Sequence, residues 1–120
     1  MKVLLTSQGK DLESPADPRF GRAKWFLVVD TESGNVEAFD NVQNLNAPQG
    51  AGVQAGQNVS NLGVECVITG HVGPKAFATL SAAGIKIYTG ADGTCAEALE
   101  KFKNGQLPQA NDADVDGHWV

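Results

Sequence analysis

The chain has 120 residues, a mass of 12.6 kDa and a formal net charge of −5 at pH 7, which suits a single folded domain. The negative charge disfavours general nucleic-acid binding, because such proteins present a basic face. No apolar stretch approaches the roughly 20 residues that span a bilayer, and the first residues are too few and too polar for a signal peptide. We therefore expect a cytoplasmic protein that contacts neither membrane nor nucleic acid.

The first half of the chain predicts three strands. Residues 3–6 form a short apolar strand, and a long polar loop follows. Residues 23–30 are mostly apolar, which indicates a central strand. Residues 36–42 alternate apolar and polar side chains, as a strand with one solvated face does. Gly34 lies in the polar turn between these two strands, so we expect an antiparallel hairpin.

The second half alternates helices with strands. Helical spacing predicts helices at 50–62, 75–83 and 95–102, and apolar runs predict strands at 64–69 and 85–88. Strands joined by crossover helices pair in parallel. The resulting fold is α/β, a ribonuclease-H-like mixed five-stranded sheet with an antiparallel hairpin, parallel strands and flanking helices. We expect this domain to span residues 1–108, with residues 109–120 as an acidic, mobile tail.

Three segments are expected to share the rim of this sheet at the carboxyl ends of the parallel strands, where open α/β sheets bind ligands. They are residues 7–9, 69–74 and 89–95. Gly70 and Gly73 let the backbone turn sharply, and Pro74 suits a first helical position. Free N–H groups and the positive end of a helix dipole then favour an anion. The candidate rim residues are Ser7, Gly9, Gly70, Val72, Gly73 and Pro74. Gly50 and Gly52 add backbone N–H donors at the start of the first predicted helix. Arg22 adds a guanidinium group that can hold an anion.

Candidate metal ligands are few. His71 lies inside the rim turn, and Cys95 lies in the first turn of the last predicted helix, where the dipole is expected to lower its pKa. Cys66 lies within a buried strand, which favours a packing role. His118 lies in the tail, where an exposed histidine without a role is the simpler interpretation.

The sequence gives little support for catalysis. A two-metal nuclease needs several carboxylates at the rim, and the first strand ends in Thr6, Ser7 and Gln8, with Asp92 the one carboxylate near the rim. A phosphate-binding P-loop and a Gly-x-Ser-x-Gly nucleophile motif are absent from the sequence. We therefore expect a protein that is not an enzyme.

Four ordered motifs and the tail resemble the dinitrogenase iron–molybdenum cofactor biosynthesis family. The motifs lie at residues 20–23 (FGRA), 50–55 (GAGVQA), 67–77 (VITGHVGPKAF) and 82–88 (AAGIKIY), and the tail ends in GHW at 117–119. The resemblance implies a single ribonuclease-H-like domain that binds or carries a metal–sulfur cluster. Nitrogenase-associated members bind iron–molybdenum cofactor or its precursor, whereas the orange proteins bind a molybdenum–copper sulfide cluster without covalent attachment.

The resemblance implies rim roles for Arg22, Gly70, Val72, Gly73 and Pro74. The resemblance does not imply metal ligation by His71, because this histidine is not a fixed feature of the family. Cys95 lies outside the shared motifs, so its candidacy rests on its position at a helix start. The predicted cargo is a preassembled, molybdenum-containing metal–sulfur cluster, with the molybdenum–copper sulfide form favoured over the iron–molybdenum precursor. Predicted protein partners belong to cluster transfer or to a cell-division-type ATPase complex. The alternative is a protein–protein interaction or regulatory module of the same fold without a bound cluster.

Overall fold

The computed structural model describes residues 1–41, 56 and 58–111. Residues 56 and 58–60 are helical and belong to the predicted helix at 50–62, the first part of which lies outside the described residues. The other elements, in chain order, are β1 (Lys2–Ser7), β2 (Trp25–Asp30), β3 (Val36–Asp40), β4 (Cys66–Ile68), α1 (Pro74–Ala82), β5 (Lys86–Tyr88) and α2 (Cys95–Lys103).

The five strands form one mixed sheet in the order β3-β2-β1-β4-β5. β1 pairs antiparallel with β2, and β2 pairs antiparallel with β3. β1 also pairs in parallel with β4, which pairs in parallel with β5. The ribonuclease-H-like α/β fold predicted from the sequence is therefore confirmed.

The sheet separates two hydrophobic clusters because side chains alternate between its faces. Leu4, Phe26 and Val67 face α1, whereas Val3, Leu5 and Leu27 face α2. Both faces of β1 are covered, so its run of apolar residues is fully buried. Because β1 is the central strand of the sheet, its carboxyl end lies in the middle of the rim.

β3 is shorter and more exposed than the alternating pattern predicts. It ends at Asp40, and the side chain of Val36 is 37% exposed. Asn41 directly follows β3, and its N–H donates to the carbonyl of Lys24, the residue before β2. The exposure follows from the position of β3 at the edge of the sheet.

The chain continues along the sheet after α2. The N–H of Thr89 donates to the carbonyl of Pro108, and the N–H of Ala110 donates to the carbonyl of Ile87. The described chain therefore pairs with β5 for two residues beyond the predicted domain boundary at 108. Residues 112–120 lie outside the described residues, and their predicted mobility stays a prediction. None of the described helices is long and apolar enough to span a membrane.

A candidate anion site at the rim of the sheet

The rim begins with two buried hydroxyl groups at the ends of β1 and β4. Thr6 Oγ1 donates to the carbonyl oxygen of Asp17 at 2.7 Å and lies 2.9 Å from Thr69 Oγ1. Since Thr6 has one hydroxyl proton, the second contact takes its proton from Thr69. Both threonines are almost fully buried. This pair links the two parallel strands to the loop that follows β1.

That loop crosses the rim instead of leaving it open. Ala16 forms an isolated bridge with Ser7, and its N–H donates to the carbonyl of Gly93. Further along, the N–H of His71 donates to the carbonyl of Pro18 at 2.7 Å. Two predicted rim segments, 69–74 and 89–95, contact each other directly, since the N–H groups of Gly90 and Ala91 donate to the carbonyls of Gly70 and Thr69. Residues 14–20 run alongside them and connect residues 7–9 to residues 89–95.

Gly70 is required because the loop approaches β4 so closely. A Cβ atom at Gly70 would lie 2.7 Å from both the Cα and the carbonyl oxygen of Pro18. Both atoms belong to the backbone, so the contact cannot be relieved by rotating a side chain. The conformational freedom predicted for this glycine therefore serves contact within the protein, whatever ligand also binds there.

The loop that follows β1 also covers the start of α2, where its carbonyl groups accept the first N–H groups of the helix. The N–H groups of Cys95 and Ala96 donate to the carbonyls of Ser14 and Leu12. Thr94 and Glu97 form a capping box, in which each side chain accepts from the backbone N–H of the other residue. These donors are already satisfied, so this helix start does not offer them to an anion.

The start of α1 is different. Its N-cap is Gly73, which has no side chain, and Pro74 follows in the first turn. Within the described residues, no side chain caps this helix, and its first turn contains no carboxylate. Lys75 is exposed in that turn. The positive end of α1 is therefore the rim position that best suits an anion.

Cations are concentrated in a segment whose backbone runs beside the turn that leads into α1. Residues 17–24 carry Arg19, Arg22 and Lys24 against one carboxylate, Asp17. Arg19 forms a parallel bridge with His71, which brings this segment alongside the rim turn. Because the whole chain has a net charge of −5, this local excess of positive charge stands out from the rest of the molecule.

The remaining site candidates occupy several environments. Val72 is fully buried, Gly70 and Gly73 are buried, Pro74 is exposed, and Arg22 and His71 are half-buried. Gly50 and Gly52 lie outside the described residues. Binding roles for all of these residues stay predictions.

Ser7 and Gly9 form a local turn. Ser7 Oγ donates to the carbonyl of Gly9 at 2.7 Å and accepts the N–H of the same residue at 3.1 Å. Ser7 is fully buried. A Cβ atom at Gly9 would collide with the side chain of Ser14, so this glycine also permits a close internal approach.

The lowered pKa predicted for Cys95 is wrong. The side chain is fully buried, and its Sγ lies 3.9 Å from the carbonyl oxygen of Thr6. Burial raises the pKa of the Cys95 thiol and outweighs the lowering effect of a hydrogen bond with Ser7. The position at a helix start does not lead to a thiolate because desolvation dominates, and ligation by Cys95 stays a prediction that this environment does not favour.

The packing role predicted for Cys66 is confirmed. Its side chain is 3% exposed within the cluster beneath α2, and burial raises its pKa as well. The described residues contain no group of three or more His, Cys, Asp or Glu side chains able to hold a metal ion together.

Sequence reasoning missed two buried polar side chains beside the rim. Asp17 and Asn41 are 6% and 2% exposed. Their sequence signal was weak because single polar residues are usually solvated. Contacts between distant parts of the chain make them internal: Asp17 bonds to Thr6, and Asn41 bonds to Gly21 and Ala23.

The protein-family model described as dinitrogenase iron-molybdenum cofactor matches residues 1–105 of the chain. The chain belongs to this family. The resemblance drawn from the four sequence motifs is confirmed.

Two solved structures are similar to the chain over nearly its whole length. The apo form of the orange protein from Desulfovibrio gigas is 39% identical, with a TM-score of 0.92 over 95% of this chain and 96% of that one. A NifB-like protein of the DUF35 family from Thermotoga is 40% identical, with a TM-score of 0.83 over 97% and 98% of the two chains. An uncharacterised protein of Methanocaldococcus jannaschii is 29% identical over 109 residues, which is 89% of each chain. Family and neighbours together associate this chain with molybdenum-related cofactor binding.

Proposed function

We propose that this protein binds or carries a preassembled, anionic, molybdenum-containing metal–sulfur cluster and catalyses no reaction. The observation that supports this most directly is the pairing of the α1 start with the cationic segment 17–24. In the described residues, the first turn of α1 has neither a side-chain cap nor a carboxylate. The neighbouring segment supplies three cations. The cluster is cargo, and the site favours a multiply charged anion that brings its own metal ligands.

The donor types fit such a cargo. Backbone N–H groups at the start of α1 would hydrogen-bond to cluster sulfides, while Arg22 and Lys75 would balance the negative charge. His71 is the nearby side chain able to ligate a metal directly. Both cysteine thiols are buried in the apolar cluster beneath α2, so the proposed site on the α1 side uses neither.

We favour a molybdenum–copper sulfide cluster over an iron–molybdenum cofactor precursor. The support is the likeness to the orange protein along almost the full chain, in a domain with few accessible thiols. The same proposal has the protein acting in the cytoplasm, with the cluster as its main ligand. Proteins of cluster transfer or of a cell-division-type ATPase complex are the proposed partners.

The test is reconstitution of the cluster-free protein with tetrathiomolybdate and a copper salt. We expect a charge-transfer absorption band and bound molybdenum and copper that survive desalting. The variant Arg22→Gln should lose most of this retention. Lys86→Gln removes the same charge at the opposite end of a parallel strand, so it should retain the metals as the unaltered protein does.

Loss of all metal by the unaltered protein, with iron–molybdenum precursors also failing to bind, would overturn the carrier proposal. The interaction-module alternative would then be preferred. Equal loss in the Arg22 and Lys86 variants would indicate non-specific attraction to positive charge and would reject this rim as the site.

A further inference from the structure

The segment that carries Arg19 and Arg22 is held from two sides by buried polar side chains. We propose that Asp17 and Asn41 are positioning residues, which fix the backbone of residues 18–24 so that Arg22 is preorganised at the rim before the anion arrives. This inference rests on the proposed function above for the identity of the anion. Its structural part concerns only the protein.

Asp17 holds the start of the segment. Its carboxylate accepts the N–H of Arg19 at 3.1 Å, and the backbone N–H of Lys24 is near enough to lower the pKa of the carboxyl. The backbone of Asp17 is itself fixed, since its N–H donates to the carbonyl of Thr6 and its carbonyl accepts from the hydroxyl of Thr6. Asp17 therefore ties the start of the segment to the end of β1.

Asn41 holds the middle of the segment from the opposite side. Its Nδ2 donates to the carbonyl of Ala23 at 2.8 Å and to the carbonyl of Gly21 at 3.4 Å. These are the two residues that flank Arg22. The backbone N–H of Asn41 also donates to the carbonyl of Lys24. Asn41 can make these contacts because it lies beside the segment, directly after Asp40, which pairs with Trp25.

Phe20 provides an apolar anchor between these polar contacts. Its ring is fully buried and stacks on Phe26, with centroids 5.7 Å apart. The N–H of Phe20 donates to the carbonyl of His71. The segment is thus fixed at both ends, in its middle and against the rim turn, while Arg22 itself stays half-buried.

This arrangement affects affinity through the fraction of molecules that are ready to bind. If removing a support leaves the binding conformation populated about one tenth of the time, apparent affinity falls about tenfold without any loss of a ligand contact. Truncating Asn41 also leaves the carbonyls of Gly21 and Ala23 without these donors. The loop would then rearrange toward water.

The experiment measures binding of tetrathiomolybdate alone, by equilibrium dialysis, to four proteins that form a double-mutant cycle. These are the unaltered protein, Asn41→Ala, Arg22→Gln and the double variant. We expect Asn41→Ala to weaken binding about tenfold when Arg22 is present and less than about twofold when it is absent. Leu99→Ala, in α2 on the opposite face of the sheet, provides a variant destabilised without any change at the rim.

A second readout is independent of the ligand. Amide hydrogen exchange of the cluster-free protein should become faster at residues 19–24 in Asn41→Ala but not in Leu99→Ala. If Asn41→Ala fails to fold, Asn41→Ser retains a hydroxyl donor and should give a smaller change in the same direction.

Unchanged affinity in Asn41→Ala, or an equal loss with and without Arg22, would overturn the positioning role. If the unaltered protein does not bind tetrathiomolybdate, the proposed function loses this support while exchange still tests the positioning role. Faster exchange confined to residues 19–24 would then support the positioning, and unchanged exchange would overturn it.

Discussion

The two helices that follow the parallel strands begin in very different surroundings. Each is preceded in sequence by a threonine–glycine pair, Thr69-Gly70 before α1 and Thr89-Gly90 before α2. At α2, carbonyls of the 8–20 loop and a capping box accept the first N–H groups. At α1, the N-cap is a glycine and cations lie nearby. The position of one loop therefore determines which helix start suits an anion.

The largest expected effect is on the free energy of unfolding, and it distinguishes Gly70, which precedes α1, from Gly90, which precedes α2. Gly70→Ala would force a Cβ atom against the backbone of Pro18, and we expect a loss of about 3 kcal/mol in the free energy of unfolding. Gly90→Ala meets no atom within 4 Å and is limited by its positive φ of 83°, so we expect a loss of about 1 kcal/mol. Urea denaturation measures both. Similar losses would mean that the loop does not press on β4 as described.

The next effect is on anion binding, and it compares one lysine of α1 with one lysine of α2. Lys75→Glu reverses a charge in the first turn of α1, and we expect tetrathiomolybdate to bind about tenfold more weakly. Lys101→Glu makes the same reversal in the last turn of α2, from which the Lys101 side chain reaches back to Asp92, before the start of the helix, at 2.7 Å. Dialysis should show little change in that variant. A larger loss for Lys101→Glu than for Lys75→Glu would place the anion at α2.

Removing the cap of α2 should affect stability and leave binding unchanged. Thr94→Ala deletes the side chain that accepts the N–H of Glu97, and we expect it to lower the free energy of unfolding by about 1 kcal/mol. Thermal or urea unfolding measures this loss, with Ser81→Ala on the exposed surface of α1 as a control. Weaker tetrathiomolybdate binding by folded Thr94→Ala would contradict the assignment of the site to α1.

The smallest expected effect is a pH dependence at Asp17. Burial raises the pKa of this carboxyl above its ordinary value of 3.8, despite opposing contacts with Arg19 and Lys24. A raised pKa contributes stability that is complete below 3.8 and is lost as pH rises through the folded-state pKa. The stability of Asp17→Asn relative to the unaltered protein should therefore decrease as pH is lowered from about 7 to about 4.

Urea midpoints of the two proteins across this pH range provide the measurement. The comparison isolates Asp17 because carboxyls with lowered pKa values, such as Asp30 and Glu97, are present in both proteins. If the stability of Asp17→Asn relative to the unaltered protein stayed constant or rose as the pH was lowered, the Asp17 carboxyl would not carry a raised pKa.

Much of the fold was predictable because it depends on local patterns. The apolar run of β1, the hairpin through Gly34 and the alternation of strands and helices after residue 64 led to the mixed sheet that is observed. The ends of elements were less predictable. β3 ends at Asp40 instead of residue 42, and the side chain of Asn41 donates to the carbonyls of Gly21 and Ala23, which are 20 and 18 residues away in sequence.

The candidate site was predictable only in outline. Strand ends, glycines and Pro74 identify the rim from sequence, since each acts through the local backbone. The environment of Cys95 was not predictable, because a helix start lowers a thiol pKa only where the surroundings do not desolvate it. The buried position of the thiol beneath β1 reverses the expected direction.

By itself, the sequence determined the order of strands and helices, the family and the glycine–proline turn that ends β4. Periodicity, turn residues and motifs are properties of neighbouring positions, so they can be read along the chain. Only the tertiary structure determined that the 8–20 loop covers the start of α2 and that Gly70 packs against Pro18. The same is true of the contacts by which Asp17 and Asn41 support the segment that carries Arg22. These features depend on contacts between distant residues, for which a single sequence has no repeating signal.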